Sequence, residues 1–439
     1  MLNCSYDNSM GNFCFIGKRG LVIGEGVSGR GAVFALEKSG AAADVFSGSS
    51  DEFLQFCENR LFRYDVIVVS PGVPLHHAIF SWAKLHNIPL YGELELGYRL
   101  FKGEIAAITG TNGKTTTTSL VGEMFKNAGL ETIVGGNIGN AFSKCAVEEE
   151  AKFAVLETSS FQLETIIDFK PKVASILNIS PDHLDYHGTM HRYAKAKLNI
   201  AKNQTKEDTL ILSADDIDIG HLKDFSPKSK VLYFSSKRKV DGAYLHDDDI
   251  YFCGEKICSI KNIKLNGEHN LKNALAAVAM SGVFEIRKDV ICYTLANFST
   301  SPHRLSLVAT IDGKNYFNDS KATNIASALS AANSMRDITC MIMGGSDKGY
   351  DFSEFFSSLP SHITDIVLIG ETAKKIEQAG NEAGFYNFSI VSSIEDAVLQ
   401  ASQKSVKNVL LSPACASFDM FRDYTERGCA FEKSVLKLK

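Results

Sequence analysis

No apolar run in this chain approaches the about eighteen residues that a membrane-spanning helix needs, so no span is expected. Residues 1–20 hold no apolar signal core. No export signal is read there, a cytoplasmic location is expected, and the first residues read as a tail with Met10 as an alternative start. Basic charge is not in excess: 46 Lys and Arg stand against 51 Asp and Glu, a formal net charge of −5. No positive field is present to hold nucleic acid. The ten cysteines form no Cys-x-x-Cys pair, and Cys253 with Cys258 has the wrong spacing for a zinc knuckle. Reduced cysteines that serve packing are expected. Proline is scarce, 9 in 439 residues, and no repeat or low-complexity stretch appears. A chain of this length exceeds one core, so two or three domains are expected.

What is present begins with Ile105-Ala106-Ala107-Ile108-Thr109, an apolar run that ends in Gly110-Thr111-Asn112-Gly113-Lys114-Thr115-Thr116. Strand, glycine turn, Lys-Thr and helix is how proteins hold a nucleotide polyphosphate. Glycines let backbone N–H groups approach the phosphates, the helix N-terminus adds positive dipole, the ammonium meets the outer phosphates, and a hydroxyl reaches Mg²⁺. The strict spacing places a glycine where this chain has Ile108, so the match is to a shorter form. A mere turn with a solvated lysine would not need the strand before it and the amphipathic helix after it.

Upstream, Leu21–Ile23 reads as a strand, and Gly24, Gly26 and Gly29 form a Gly-x-Gly-x-x-Gly turn into a helix. The second strand, Ala43–Phe46, is not followed by the acid that clamps a nicotinamide ribose; Asp44 and Asp51 are out of register. A diphosphate on the helix N-terminus remains open, since backbone donors do not need that acid. Asp65–Val69 is a buried strand ending at Ser70-Pro71-Gly72, and Ile88–Tyr91 is another.

After the phosphate loop, Leu120, Val121, Met124, Phe125 and Ala128 line one helix face up to Gly129. Gly135-Gly136-Asn137-Ile138-Gly139 is a tight turn. The strand Ala154–Leu156 delivers Glu157, followed by Thr158-Ser159-Ser160. A carboxylate at the strand end where phosphates lie suits Mg²⁺ better than it suits plain surface. His183, His187 and His191 are spaced four apart, but Pro181 and Gly188 interrupt the helix that would stack them. Polar groups at a phosphate centre are expected there rather than a three-His zinc site. Residues 205–265 are strand-rich, with Asp247-Asp248-Asp249 at a hairpin tip; Asn270 and Asn273 lie one helical turn apart. Beyond Ser301, a hairpin at Asp312-Gly313 precedes strands Thr339–Met343, Asp365–Ile369, Ser389–Val391 and Asn408–Leu411. The loops Gly344–Gly349 and Ser412–Asp419 fall at strand carboxyl ends, the ligand edge of a parallel sheet.

Taken together, these segments resemble the Mur ligase family of ATP-dependent peptidoglycan precursor ligases. The motifs Gly110–Thr116, Gly135–Gly139, Glu157–Ser160, Asn178–Asp185, Ala196-Lys197-Leu198, Gly267–Asn273, Pro302-His303-Arg304 and Asp319–Asn324 stand in family order. Within the family, Ser412–Phe421 with the Gly344–Lys348 loop is similar to the branch adding D-glutamate to UDP-N-acetylmuramoyl-L-alanine. The Asp-Asn-Pro-Arg signature of the diaminopimelate-adding branch is absent.

The resemblance implies an α/β chain of three domains. A Rossmann-like sheet over 1–93 (1–19 a tail) would hold the UDP substrate. A central P-loop ATPase-type mixed sheet over 94–300 would hold ATP, and a Rossmann-like sheet over 301–439 the amino acid. It implies a cytoplasmic monomer with two Mg²⁺ ions, working on UDP-N-acetylmuramoyl-L-alanine, D-glutamate and ATP.

By the same resemblance, the catalytic set is Lys114, Glu157, His183, Lys197 and Lys321. ATP contacts fall on Gly110 to Thr116, Asn270, Asn273, Arg304, Asp319 and Lys321. The UDP-substrate set is Gly26, Val27, Ser28, Gly29, Ser70, Asn137, Ser159, Gln162 and His183. The D-glutamate set is Thr323, Lys348, Ser417, Phe418 and Tyr424. Thr115, Thr116, Glu157, His183 and Lys197, the last as a carbamate, would face metal. Two departures stand out: Ser47 and Gly48 replace an acid and a hydroxyl after the second strand, and Tyr424 stands where the family carries Phe.

The implied chemistry is transfer of the γ-phosphoryl group to a carboxylate, then attack by an amine, in a cleft that closes against water. Competing readings are a folate-extending or other Mur-type ligase, a nicotinamide oxidoreductase and a non-catalytic nucleotide-binding scaffold. The first would not need the segment 20–92. The second lacks its acid. The third would not need Lys114, Glu157, Lys197 and Lys321 together.

Overall fold

Each of the three expected segments closes its apolar runs into one sheet. The computed structural model describes residues 15–58, 64–215, 225–263, 267–298, 303 and 305–438. These fall into two compact units, parted at Phe298, with Gly267–His269 counted in the second.

In the first unit, β1 (Arg19–Ile23), β2 (Ala42–Phe46), β3 (Val66–Val69) and β4 (Leu90–Gly92) pair in parallel in the order β2-β1-β3-β4. β3 is covered on both faces, which is why Val66-Ile67-Val68-Val69 is continuously apolar rather than alternating. Phe15, inside the stretch expected as a tail, is 1% exposed and packs in this core.

The second sheet of that unit has nine strands: β5 (Glu104–Thr109), β6 (Thr132–Gly136), β7 (Phe153–Glu157), β8 (Val173–Ile176), β9 (Thr209–Ser213), β10 (Lys230–Ser235), β11 (Gly242–His246), β12 (Asp249–Phe252) and β13 (Glu255–Ser259). Their order is β13-β12-β11-β10-β9-β8-β5-β7-β6. Pairing is parallel from β6 to β11 and antiparallel through β12 and β13. Helices Lys114–Asn127 and Glu268–Val283 share one core, where Leu120, Val121, Met124 and Phe125 meet Ala274–Met280. Asp247 and Asp248 both take left-handed backbone at the β11–β12 tip, the hairpin expected there.

Helix Glu93–Leu100 links the two sheets through buried acids. Glu95 accepts from the backbone N–H groups of Ile167 at 2.9 Å, Asp168 at 3.0 Å and Phe169 at 3.0 Å. Glu93 accepts from Ser143 N at 2.7 Å, and burial pushes its carboxyl above the ordinary range.

The second unit holds β14 (Ser306–Ile311), β15 (Lys314–Asn318), β16 (Thr339–Met343), β17 (Ile363–Leu368), β18 (Phe388–Ile390) and β19 (Asn408–Leu411), in the order β14-β15-β19-β16-β17-β18. β14 is antiparallel to β15 across the Asp312-Gly313 turn; the rest are parallel. Among the described residues no helix is long and apolar enough to cross a membrane.

Candidate functional site

β5 lies between β7 and β8, so three carboxyl ends open side by side. The glycine turn leaves β5 there. Gly113 takes φ +84°, and a Cβ on it would fall 2.2 Å from Asn273 Oδ1, so only glycine fits. Neighbouring chain ends hold the turn in shape. Thr111 N donates to Asn178 O at 3.0 Å. Asn112 N donates to Asn178 Oδ1 at 2.8 Å, and Asn178 Nδ2 returns a bond to Asn112 O at 3.1 Å. Thr111 Oγ1 lies 3.1 Å from Tyr193 Oη and donates to Ser180 O at 3.1 Å. These bonds fix the shape of the turn at the start of helix Lys114–Asn127.

Two lysines converge on one carbonyl. Lys114 Nζ donates to Gly110 O at 2.9 Å and Thr111 O at 2.8 Å. Lys197 Nζ donates to the same Gly110 O at 2.8 Å, lies 4.5 Å over the Tyr193 ring, and is 1% exposed. Burial first, and the Lys114 charge second, hold the Lys197 amine well below the ordinary lysine range; Asp182 and Glu157 oppose this more weakly. Glu157, at the end of β7, accepts from Thr115 Oγ1 at 2.7 Å and from Asn137 Nδ2 at 2.8 Å. Thr116, one position on, is buried on the same helix. Asn273 Nδ2 reaches Asn270 Oδ1 at 3.5 Å. The geometry therefore brings Gly110–Thr115, Asn137, Glu157, Lys197 and Asn273 together.

The histidines behave differently from their spacing. His183 takes left-handed backbone ahead of helix Leu184–His187, which ends at Gly188 with φ +73°. Its ring stands edge-on to Phe161, with Nε2 3.7 Å from Asp182 Oδ2. His187 is instead fixed by Ser160 Oγ at 3.0 Å and Glu164 Oε1 at 3.4 Å. Among the described residues no group of three or more His, Cys, Asp and Glu is placed to hold a metal. Ser159 and Gln162 form a capping box: Gln162 N donates to Ser159 Oγ at 3.3 Å and Ser159 N to Gln162 Oε1 at 2.9 Å.

In the N-terminal turn, Gly26 caps helix Val27–Lys38, and Val27 is 56% exposed. Ser28 follows half-buried. A Cβ on Gly29 would meet Gly24 O at 1.8 Å. Ser70 Oγ is buried against this turn without a partner among the described residues. Asp44, out of register for a ribose, accepts from Arg19 Nε at 3.1 Å and Tyr64 Oη at 3.0 Å. Ser47 and Gly48 are exposed at the end of β2.

In the second unit, Asp319 accepts from Leu305 N at 3.2 Å and Ser412 Oγ at 2.9 Å. Lys321 Nζ lies 5.1 Å over the Tyr424 ring. Thr323 precedes helix Ile325–Ser334, whose first turn is capped by Asn324. Lys348 Nζ stands 5.9 Å over Tyr350, and a bridge between Ser346 and Ala416 joins its loop to Ser417, which is buried beside exposed Phe418. Arg304 lies outside the described residues.

Two residues of this architecture were not read from the sequence. Tyr193 spans Thr111 and Lys197. Arg427 is buried on helix Tyr424–Leu436 in register with Phe431 and Val435, a helical periodicity in which an arginine at an apolar position was the available signal.

Two family models match the chain: Mur ligase middle domain over residues 108–281, and Mur ligase, glutamate ligase domain over 303–415. The chain is 42% identical over 450 aligned positions to a UDP-N-acetylmuramoylalanine–D-glutamate ligase of Thermoanaerobacter sp. (strain X514), covering 96% of this chain and 99% of that one. It is 38% identical to the like-named ligase of Lachnoclostridium phytofermentans, covering 97% and 99%. Among solved structures, the fold is shared with the UDP-N-acetylmuramate-alanine ligase of Thermotoga maritima, with TM-score 0.62, 18% identity and coverage of 96% and 100%. It is shared also with the MurF ligase of Thermotoga maritima in complex with ADP, with TM-score 0.61, 16% identity and coverage of 98% and 98%.

Proposed function

This chain belongs to the Mur ligase family, and on that premise we propose that it is the ATP-dependent ligase joining D-glutamate to UDP-N-acetylmuramoyl-L-alanine. The observation that carries the reading is the convergence of Lys114, Thr115, Glu157 and Lys197 on the loop after β5. The branch assignment follows the relatives of that name at 42% identity over 96% of the chain.

A carboxylate anion is a poor electrophile. Phosphorylation by ATP makes it an acyl phosphate, which the amine attacks with loss of phosphate. The N-terminus of helix Lys114–Asn127, at the end of the glycine turn, receives the phosphates, and the Lys114 ammonium leaves its two carbonyls to meet the outer ones. The Thr115 hydroxyl and Glu157 carboxylate are hard oxygen donors, which fits Mg²⁺. When bound, Mg²⁺ offsets charge on the transferring phosphoryl group. Burial holds the Lys197 amine well below its ordinary range, which favours the lone pair that carbamylation by CO₂ requires, and the product would supply further oxygen donors. Ser70 and the Gly24–Gly29 turn suit a diphosphate. Thr323, Lys348, Ser417 and Tyr424 are assigned to the amino acid, and Asn270, Asn273, Asp319 and Lys321 to ATP. The reading divides the chain after residues 93 and 300 and takes it to act as a cytoplasmic monomer.

The test is phosphate release with ATP and UDP-N-acetylmuramoyl-L-alanine, comparing D-glutamate with L-glutamate, L-alanine and L-lysine. Release with D-glutamate alone is expected. Release only with another amino acid overturns the branch assignment.

A further inference from the structure

The arginine that the sequence reading passed over sits at the junction of the loops assigned to the amino acid. Arg427 is 1% exposed. Its Nε donates to Ser320 Oγ at 3.0 Å, and Nη2 donates to Ser320 O at 2.8 Å and Cys415 O at 3.1 Å. Nη1 donates to Ala416 O at 3.1 Å. Four of its five N–H donors are thus spent on two segments, Asp319–Asn324 and Ser412–Ser417. Ser320 Oγ passes a bond on to Tyr424 O at 2.8 Å, closing the knot onto the helix that carries Arg427. Lys321 and Thr323 stand on the first of these segments, Ser417 on the second, and Tyr424 at the start of that helix. A planar five-donor fork can hold several carbonyls at fixed angles, which a lysine cannot.

The charge of this fork is as notable as its geometry. Among the described residues no carboxylate forms an ion pair with it, since every acceptor is a carbonyl or a hydroxyl. Asp319 and Asp419, the carboxylates that act on it from further off, are engaged elsewhere: Asp319 by Leu305 N and Ser412, Asp419 by Ser346 Oγ at 3.3 Å and Glu371 N at 3.0 Å. Burial lowers the guanidinium to about 10, which leaves it charged at neutral pH. A desolvated, unpaired cation projects its field further than a solvated one.

We propose that Arg427 is the specificity-determining positioning residue of the amino-acid site. It sets the geometry of the Asp319–Asn324 and Ser412–Ser417 loops and supplies a fixed positive charge that selects a dicarboxylic amino acid over its neutral isostere. It acts through the loops and does not touch the substrate. The inference rests on the assignment of this unit to the amino acid.

The test is steady-state kinetics of Arg427→Met, Arg427→Lys and Ser320→Ala with D-glutamate and D-glutamine, alongside KM for ATP and the thermal midpoint. Arg427→Met is expected to raise KM for D-glutamate about 10–100-fold, the range for supporting-shell residues, with KM for ATP changed less than about twofold. Its preference for D-glutamate over D-glutamine is expected to fall about tenfold. Arg427→Lys is expected to keep that preference while still raising KM. Ser320→Ala, which spares the charge and suits the case where Arg427→Met fails to fold, is expected to raise KM a few-fold with the preference intact. An equal rise in both amino-acid and ATP KM, or an unchanged preference in Arg427→Met, overturns the proposal. If the wild-type enzyme uses a different acidic amino acid, the branch assignment fails and this inference is read with that substrate; a neutral wild-type substrate overturns both.

Discussion

Replacing Lys197 with methionine removes a buried amine while keeping its length. The amine is 1% exposed and makes one hydrogen bond, to Gly110 O at 2.8 Å, an acceptor it shares with Lys114. Relieving the cost of keeping this lysine out of water is taken at the scale seen when buried ion pairs give way to apolar groups of similar volume, from neutral to stabilising by on the order of 1–4 kcal/mol. Loss of the hydrogen bond costs about 1 kcal/mol. The ligand-free protein is therefore expected to gain up to roughly 3 kcal/mol, at about 2–4 °C of midpoint per kcal/mol for a domain of this size. The pH dependence has a definite sign. The folded-state pKa of Lys197 lies below the ordinary 10.5. Between the two values the unfolded chain holds a proton that the folded chain lacks, so wild-type stability rises with pH across that window. The advantage of Lys197→Met is full below the folded pKa and gone by about pH 10.5. Differential scanning calorimetry in bicarbonate-free, magnesium-free buffer from pH 7 to 10.5 reads both effects. A lower midpoint for Lys197→Met at pH 7, or an advantage that grows with pH, refutes the reasoning.

Other perturbations read other parts of the site. Glu157→Gln is expected to lower kcat/KM about 10²–10³-fold and to raise the Mg²⁺ concentration at half-maximal phosphate release; activity within a few-fold of wild type contradicts the metal assignment. Gly29→Ala forces a Cβ to within 1.8 Å of Gly24 O. It is expected to cost about 1–3 kcal/mol and to raise KM for the UDP substrate while sparing KM for ATP, so equal effects on both count against the diphosphate turn. The Glu93 carboxyl is raised above its ordinary 4.5 by burial, so its stabilisation is present below 4.5 and is lost as pH rises through the folded value. Urea midpoints of wild type should therefore fall relative to Glu93→Gln between pH 4 and 8, and parallel pH curves would remove the argument.

Sheet and turn were legible because their signals are local. Continuous apolar runs such as Val66–Val69 mark strands covered on both faces, and the loops that end them are where ligands sit. What escaped was side-chain partnership across the chain. Glu93 and Glu95 stand in the first turn of a helix, yet Glu95 serves a loop more than seventy residues away, through three backbone N–H groups. His183, His187 and His191 look like one face, but the left-handed turn at Gly188 breaks it and Ser160 takes His187. Gln162 reads as a substrate contact, and its side chain closes a capping box. Arg427 drew no reading from the sequence, although Phe431 and Val435, one and two turns on, share its buried face. Each case turns on a partner distant in sequence, which periodicity does not encode.

The central claim is that the site activates a carboxylate with ATP before the amine attacks. It is tested most directly by labelling both carboxylate oxygens of UDP-N-acetylmuramoyl-L-alanine with ¹⁸O and analysing the phosphate released with D-glutamate by mass spectrometry. The account predicts one labelled oxygen in each phosphate, because the bond broken in the second step leaves a substrate oxygen on phosphorus. Amide product accompanied by unlabelled phosphate would contradict it.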